Sequence, residues 1–377
     1  MKVGIIGAGI IGLSIGWYLS KEGIDVTIFE KNEAGKGATW ASAGMLAARS
    51  EIEPGEEYLL QLLIDSKNLW PSFAEELIQE SKIDIGYRKE GTILIALDYD
   101  DASKLKSHYN YLKKIGIDVE ILSSEKILEI EPFLNPNLIM GLYSKEDHQV
   151  DNRLVALALK EAFIKSGGIL KERAEVKKVV ITNDEIEGII AKDEFYKFDF
   201  VVLSAGAWSP LIEGIPKHVI PPVRPVKGQA LSIQMDPSNP IIKHVIWGPE
   251  AYLVPKNDGR LVVGATVEEV GFDNNITVSA VYSLLKACWE MVPSISEFPI
   301  KEIWSGFRPG SRDDAPILGP TRIKGLIMAT GHHRNGILLA PITAKGITEF
   351  IVKGVLPSYI KRFTLDRFNT SWNEYKS

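Results

Sequence analysis

The residues best suited to chemistry stand at the start of the chain. Gly7-Ala8-Gly9-Ile10-Ile11-Gly12 follows the apolar run Met1 to Ile6 and leads into the helical pattern Leu13 to Leu19. A second apolar run, Asp25 to Phe29, ends in Glu30. Strand, glycine turn, helix, strand and terminal acid compose a dinucleotide-binding unit. Gly7 permits the tight turn, Gly9 lets backbone approach a pyrophosphate, and Gly12 lets helix and strand pack closely. The N-terminus of the helix offers free N–H groups and partial positive charge to phosphate. Glu30 is placed to accept hydrogen bonds from ribose hydroxyls.

Four further segments could serve a ligand. Gly35 to Leu46 is rich in small residues, which suits close approach to a phosphate or a flat ring, and equally a tight helix crossing. Ala205-Gly206 follows the apolar strand Phe200 to Leu203, where backbone can approach a ligand. Gly306-Phe307-Arg308-Pro309-Gly310 sets an arginine at the end of an apolar strand, and its forked donor matches a carboxylate. Gly331-His332-His333-Arg334-Asn335-Gly336 leads into Ile337-Leu338, a glycine-flanked helix start that suits an anion or an electron-rich ring edge. The two histidines lack matching ligands elsewhere, so no metal site is expected. Tyr252 lies on a strand, Ala251 to Pro255, and either packs in the core or faces a substrate.

The elements that must hold these residues can be read from periodicity. Leu59, Leu60, Leu63, Leu69, Phe73 and Leu77 predict a helix over 56–80. Residues 86–97 alternate toward strand, and 101–130 read as helical with a break at Gly116. Asp151 is a candidate N-cap for a helix through Lys165. Strands are expected at 222–235, 243–247, 251–255 and 260–267, then a helix at 277–291, strands near 301–308 and 326–330, and a last helix from Gly336. The α/β character appears at 1–50, returns at 150–210, and returns again after 305. This order predicts two interleaved domains, a nucleotide domain assembled from separate segments and a substrate domain built on an antiparallel sheet.

Composition sets the bounds. The 377 residues are ample for two domains, and 45% hydrophobic with 24% charged residues is ordinary for a globular chain. The net charge of −6 argues against nucleic-acid binding. The single cysteine, Cys288, excludes an internal disulfide and reads as a buried thiol in an apolar helix. No leader sequence is expected, because the apolar N-terminus reads as a strand. No run reaches the roughly 20 apolar residues of a membrane span. A cytoplasmic location is therefore expected.

Together these blocks, with Pro225 to Gln229 and Arg260 to Thr266, resemble the FAD-dependent amine oxidases related to D-amino-acid oxidase and sarcosine oxidase. The resemblance covers essentially the whole chain and lies nearest the glycine-oxidising branch of the thiamine-thiazole pathway. It implies a Rossmann-like FAD-binding domain (1–85, 147–220 and 305–377) interleaved with an α+β substrate domain (86–146 and 221–304). By resemblance, FAD meets Glu30 and Lys31 at its adenosine end. Ala38, Thr39, Ala43, Gly44 and Met45 line the path to the flavin, and the Val176 backbone meets adenine. The turn His332 to Leu338 points at the flavin pyrimidine edge. Arg308 clamps the substrate carboxylate, Tyr252 adds a hydroxyl and Arg334 closes the site. Cys288 does not match the family's covalent attachment position, so FAD is expected to be non-covalent. The implied reaction is oxidative deamination of glycine, with sarcosine and small D-amino acids as further candidates. It proceeds by hydride transfer to flavin N5, with oxygen as acceptor and peroxide as product. A homotetramer is implied. The alternatives are a D-amino-acid or D-proline dehydrogenase using another electron acceptor, and a flavoprotein scaffold without catalysis, against which Arg308 and Tyr252 speak. Val267 stands near the pocket where the family often carries a larger residue.

Overall fold

The structure, a computed structural model, describes residues 1–368, so positions 369–377 of the expected FAD-binding segment lie outside the described residues. Among the described residues two large sheets carry the fold. The first holds six strands in the order Ile317–Pro320, Leu326–Thr330, Phe200–Leu203, Lys2–Ile6, Asp25–Phe29 and Ile169–Lys171. All neighbours are parallel except the first pair. The second holds eight strands in the order Ile300–Ser311, Val223–Gln234, Arg260–Gly264, Tyr252–Pro255, Val245–Trp247, Thr92–Ala96, Met140–Ser144 and Glu120–Ser123. Its pairs are antiparallel apart from Val245–Trp247 against Thr92–Ala96. Each sheet draws on separated stretches of chain, so the chain passes repeatedly between them.

The parallel sheet is covered by helices whose apolar faces form one core. Trp17 from Ile10–Lys21, Trp70 and Phe73 from Glu57–Ser81, and Phe163 from Asn152–Lys165 are fully buried there beside Leu339 of Gly336–Lys353. Asp151 caps the Asn152–Lys165 helix, its carboxylate accepting from the N–H groups of Arg153 and Leu154. The antiparallel sheet buries Leu231, Leu253 and Val263 against Leu284 and Cys288 of the Val278–Met291 helix.

The expectations for 56–80, 151–165 and 277–291 match Glu57–Ser81, Asn152–Lys165 and Val278–Met291 within a residue or so. The region 101–130 differs. A helix over Tyr99–Lys114 ends before Gly116, Glu120–Ser123 is an edge strand, and Ser123 then caps a short helix, Ser124–Ile130. Ile121 and Leu122 read equally well in either periodicity, and pairing with Met140–Ser144 decides for strand. The boundary expected at 304/305 falls inside the Ile300–Ser311 strand, which pairs with Val223–Gln234 along its whole length. Among the described residues no helix is long and apolar enough to cross a membrane.

Candidate active site

The first strand delivers the chain into a turn that only glycine can make. Gly7 has φ +102°, and a Cβ there would lie 2.6 Å from the Ser204 carbonyl oxygen. A Cβ on Gly12 would lie 2.0 Å from the Gly7 carbonyl oxygen, so helix and turn are in backbone contact. The Thr39 hydroxyl accepts a hydrogen bond from Ile10 N–H at 2.9 Å, tying the small-residue segment to the helix start. Asn152 holds that segment from behind, donating to the Thr39 carbonyl at 2.7 Å, and Trp304 Nε1 donates to the Ala41 carbonyl at 2.9 Å. The Glu30 carboxylate accepts from Ala8 N–H at 2.9 Å and Asn32 N–H at 3.0 Å, and still has lone pairs for a ribose hydroxyl. The Lys31 ammonium lies 3.6 Å from the Trp208 ring centroid, a cation–π contact.

These groups open on one continuous cavity of about 950 Å³. It runs from Glu30, Lys31 and Val176, past Gly9 and Ala43 to Met45, to the turn His332 to Leu338 and on to Tyr252 and Arg308. At Gly37 and Gly206, both in its wall, an added Cβ would meet nothing within 4 Å, so the backbone itself faces open space.

The far end is built on the antiparallel sheet. Arg308 sits opposite Val226, and Tyr252 opposite Gly264. Two missing side chains let these residues lie across the sheet. A Cβ on Gly228 would be 2.5 Å from Arg308 Nη1, and one on Gly264 would be 2.5 Å from the Tyr252 hydroxyl. Arg308 Nη1 donates to the carbonyls of Thr266 (3.1 Å) and Lys227 (3.4 Å). No carboxylate among the described residues forms an ion pair with it, which leaves a half-buried guanidinium facing the cavity. Arg334 is different. Its Nη2 donates to both Glu56 carboxylate oxygens at 2.6 and 2.8 Å and to the Glu51 carbonyl at 3.2 Å. Burial raises the Glu51 carboxyl to about 7, opposed chiefly by Arg334. Burial also pushes the Tyr252 phenol above its ordinary range, opposed by the adjacent Arg308. His332 and His333 are both held neutral, at about 3 and about 4, by burial, the latter also by Arg334 and Arg308.

Of the residues singled out from sequence, Gly7, Gly9, Ile10, Ile11, Glu30, Lys31, Ala38, Thr39, Ala43, Gly44, Met45, Val176, Ala205, Gly206, Tyr252, Arg308 and His332 through Leu338 all line this cavity. Gly12 does not, because its place is the contact with Gly7. Cys288 lies in the second core, its thiol pushed up to about 12 by burial. Sequence reasoning missed Glu51 and Trp208 as cavity-wall residues and the arginine partner Glu56. It also missed Lys256, a buried lysine lowered to about 7 by burial, which donates to the carbonyls of Ala43 (2.6 Å) and Val150 (2.7 Å). For Glu51 one signal existed, an acid a few residues beyond the segment rich in small residues.

A family model described as FAD dependent oxidoreductase (DAO) matches residues 2–350. The chain belongs to this family. It is 34% identical to a glycine oxidase of Geobacillus kaustophilus over 97% of this chain and 96% of that protein. The crystal structure of glycine oxidase from that organism superposes with a TM-score of 0.89, covering 97% of this chain and 98% of that one. The bifunctional protein ThiO/ThiG of Synechocystis is 33% identical over 98% of this chain but only 54% of its own length, so the chain spans about half of that relative. The fold is thus that of an FAD-binding domain joined to a substrate domain, and the cofactor is FAD. The cavity suits it: a glycine cradle at a helix start for the pyrophosphate, an acid for the ribose, and a long passage to the arginine end.

Proposed function

We propose that the protein oxidatively deaminates glycine, with sarcosine and small D-amino acids as further substrates, in service of thiamine thiazole synthesis. The observation that carries this reading is Arg308, a cation with no carboxylate partner among the described residues, at the end of the cofactor cavity and beside the Tyr252 hydroxyl. An unpaired guanidinium favours an anionic ligand, and its fork matches a carboxylate. Arg308 fixes the carboxylate of an amino acid, and Tyr252 donates a further hydrogen bond to it. This orients the Cα–H toward the cofactor end of the cavity. Trp247, 5.2 Å from Tyr252 between ring centroids, walls the site. FAD, held without a covalent link by the residues of this cavity, would supply the two-electron chemistry: a hydride acceptor at N5 for the Cα hydrogen and a route for the electrons to oxygen, with hydrogen peroxide as product. The imine left behind is hydrolysed by water to an oxo acid and ammonia. Similarity to glycine oxidases and to ThiO/ThiG supports the substrate and the pathway. The same reading carries a cytoplasmic homotetramer, which light scattering checks.

The test is anaerobic mixing of the yellow holoenzyme with glycine, followed by air. Bleaching, rapid recovery and stoichiometric peroxide are expected. Bleaching with slow recovery replaces the oxidase with a dehydrogenase. Bleaching by D-proline or D-alanine and not by glycine overturns the substrate.

A further inference from the structure

Oxidation of an amino acid at Cα by hydride loss needs a neutral amine, since the nitrogen lone pair must be free to form the imine. Near neutral pH the substrate is an ammonium zwitterion. Arg308 answers its carboxylate, and the wall of the same end holds a second charge. We propose that Glu51 accepts the proton from the substrate ammonium, so that Arg308 and Glu51 together read the two charged ends of a small amino acid. The proposal rests on the reading of the site as an amino-acid oxidase.

The other titratable groups around this end are unsuited to the task. His333 is held neutral, yet beside two arginines it is too weak a base. Tyr252 is held protonated by burial. Glu56 is engaged through both carboxylate oxygens by Arg334 and is not part of the wall. Glu53 and Glu250 lie exposed at the rim, and His108 Nε2 is engaged with the Ser50 carbonyl at 3.0 Å. Glu51 is largely but not fully enclosed, its side chain 15% accessible. Its Oε2 stands 3.8 Å from Arg334 Nε, too long for a hydrogen bond, so the carboxylate keeps acceptor capacity.

The chain around Glu51 is fixed from both sides. The buried Asp147 carboxylate accepts from Arg49 N–H at 3.1 Å and Ser50 N–H at 2.7 Å, and Arg334 grips the Glu51 carbonyl. The charges facing Glu51 come from several elements: Arg334 and Arg308 favour its ionised form, while Asp147 and Glu56 oppose it. The Tyr252 phenol faces it as well. Burial outweighs the arginines and sets the carboxyl near 7, where a base is most effective at neutral pH. In the step itself one substrate N–H bond breaks and one Glu51 O–H bond forms. Total charge is unchanged and no electrons move between groups until the hydride leaves Cα.

The experiment compares wild type, Glu51→Gln and Glu51→Asp as FAD-loaded enzymes. Anaerobic flavin reduction by glycine is followed from pH 6 to 10, and acetate binding is titrated alongside. In wild type the reduction rate should fall below about pH 7, where Glu51 is protonated, and level off above it. Glu51→Gln should retain FAD and bind acetate within threefold of wild type, because Arg308 is intact. Its reduction by glycine at pH 7.5 should drop at least tenfold, in line with the roughly 10²–10⁴ that a positioned base contributes. Its rate should then climb about tenfold per pH unit with the free-amine fraction. Glu51→Asp should be slower than wild type but keep the acid limb. If Glu51→Gln is reduced with the wild-type pH profile, the assignment is overturned while the oxidase reading stands. If wild type is reduced by no small amino acid, the oxidase reading falls and the assignment falls with it.

Discussion

Replacing Arg308 by alanine probes the group on which the functional reading turns. The guanidinium loses two carbonyl contacts, to Thr266 at 3.1 Å and to Lys227 at 3.4 Å. Gly228, Ala265 and Val267, next to those carbonyls in sequence, line the cavity, so the cost to folding should be small and FAD should remain bound. The larger loss is to the substrate. A hydrogen bond to a charged group contributes about 1.5–3 kcal/mol, and a forked pair adds geometric specificity. Taking about 3 kcal/mol for the pair gives about a hundredfold rise in KM for glycine, at about 1.4 kcal/mol per decade. Arg308→Lys keeps the charge without the fork and should fall between. Gly228→Ala supplies an independent arm. The new Cβ would stand 2.5 Å from Arg308 Nη1, the end of a flexible side chain, so the chain should fold with the guanidinium displaced and KM raised. The assay is steady-state peroxide release over a range of glycine concentrations, with flavin absorbance as the loading control. A KM within threefold of wild type for Arg308→Ala would refute the carboxylate clamp.

Other expectations follow from the same geometry. Gly12→Ala puts a Cβ 2.0 Å from the Gly7 carbonyl, a clash between two backbones that cannot move aside cheaply. It should cost at least about 1–3 kcal/mol, seen as a Tm lower by several degrees, together with weakened FAD retention on gel filtration. Lys256, lowered from 10.5 to about 7 by burial, binds fewer protons folded than unfolded between those values. Its presence therefore makes stability rise with pH from about 7 toward 10.5, and Lys256→Met should flatten that part of the Tm–pH curve relative to wild type. An unchanged slope would show that the lysine is not buried as described. Cys288, with its thiol near 12 inside the second core, should resist a thiol reagent in the native enzyme and react once the chain is unfolded.

Much of this protein was legible in its sequence because the relevant physics is local. The strand, the Gly7 turn, the helix and Glu30 follow one another within thirty residues, and each is required by steric or dipolar rules that act between neighbours. The long helices announced themselves by periodicity, and Asp151 by its capping chemistry. Recurrence of α/β character along the chain foretold that the two sheets would be interleaved. What sequence could not decide was partnership across long separations. Glu120–Ser123 became a strand only because Met140–Ser144 lies beside it. Arg334 and Arg308 look equally suited to bind an anion on paper. Only the tertiary structure brings Glu56 onto the first, and leaves the second laid across Gly228 with no carboxylate partner among the described residues. The Glu51 carboxyl is raised to about 7 by burial, which no neighbour in sequence imposes. Charge pairing and desolvation depend on distances through space, whereas turns and caps depend on distances along the chain, and that difference divides what could be read from what had to be folded.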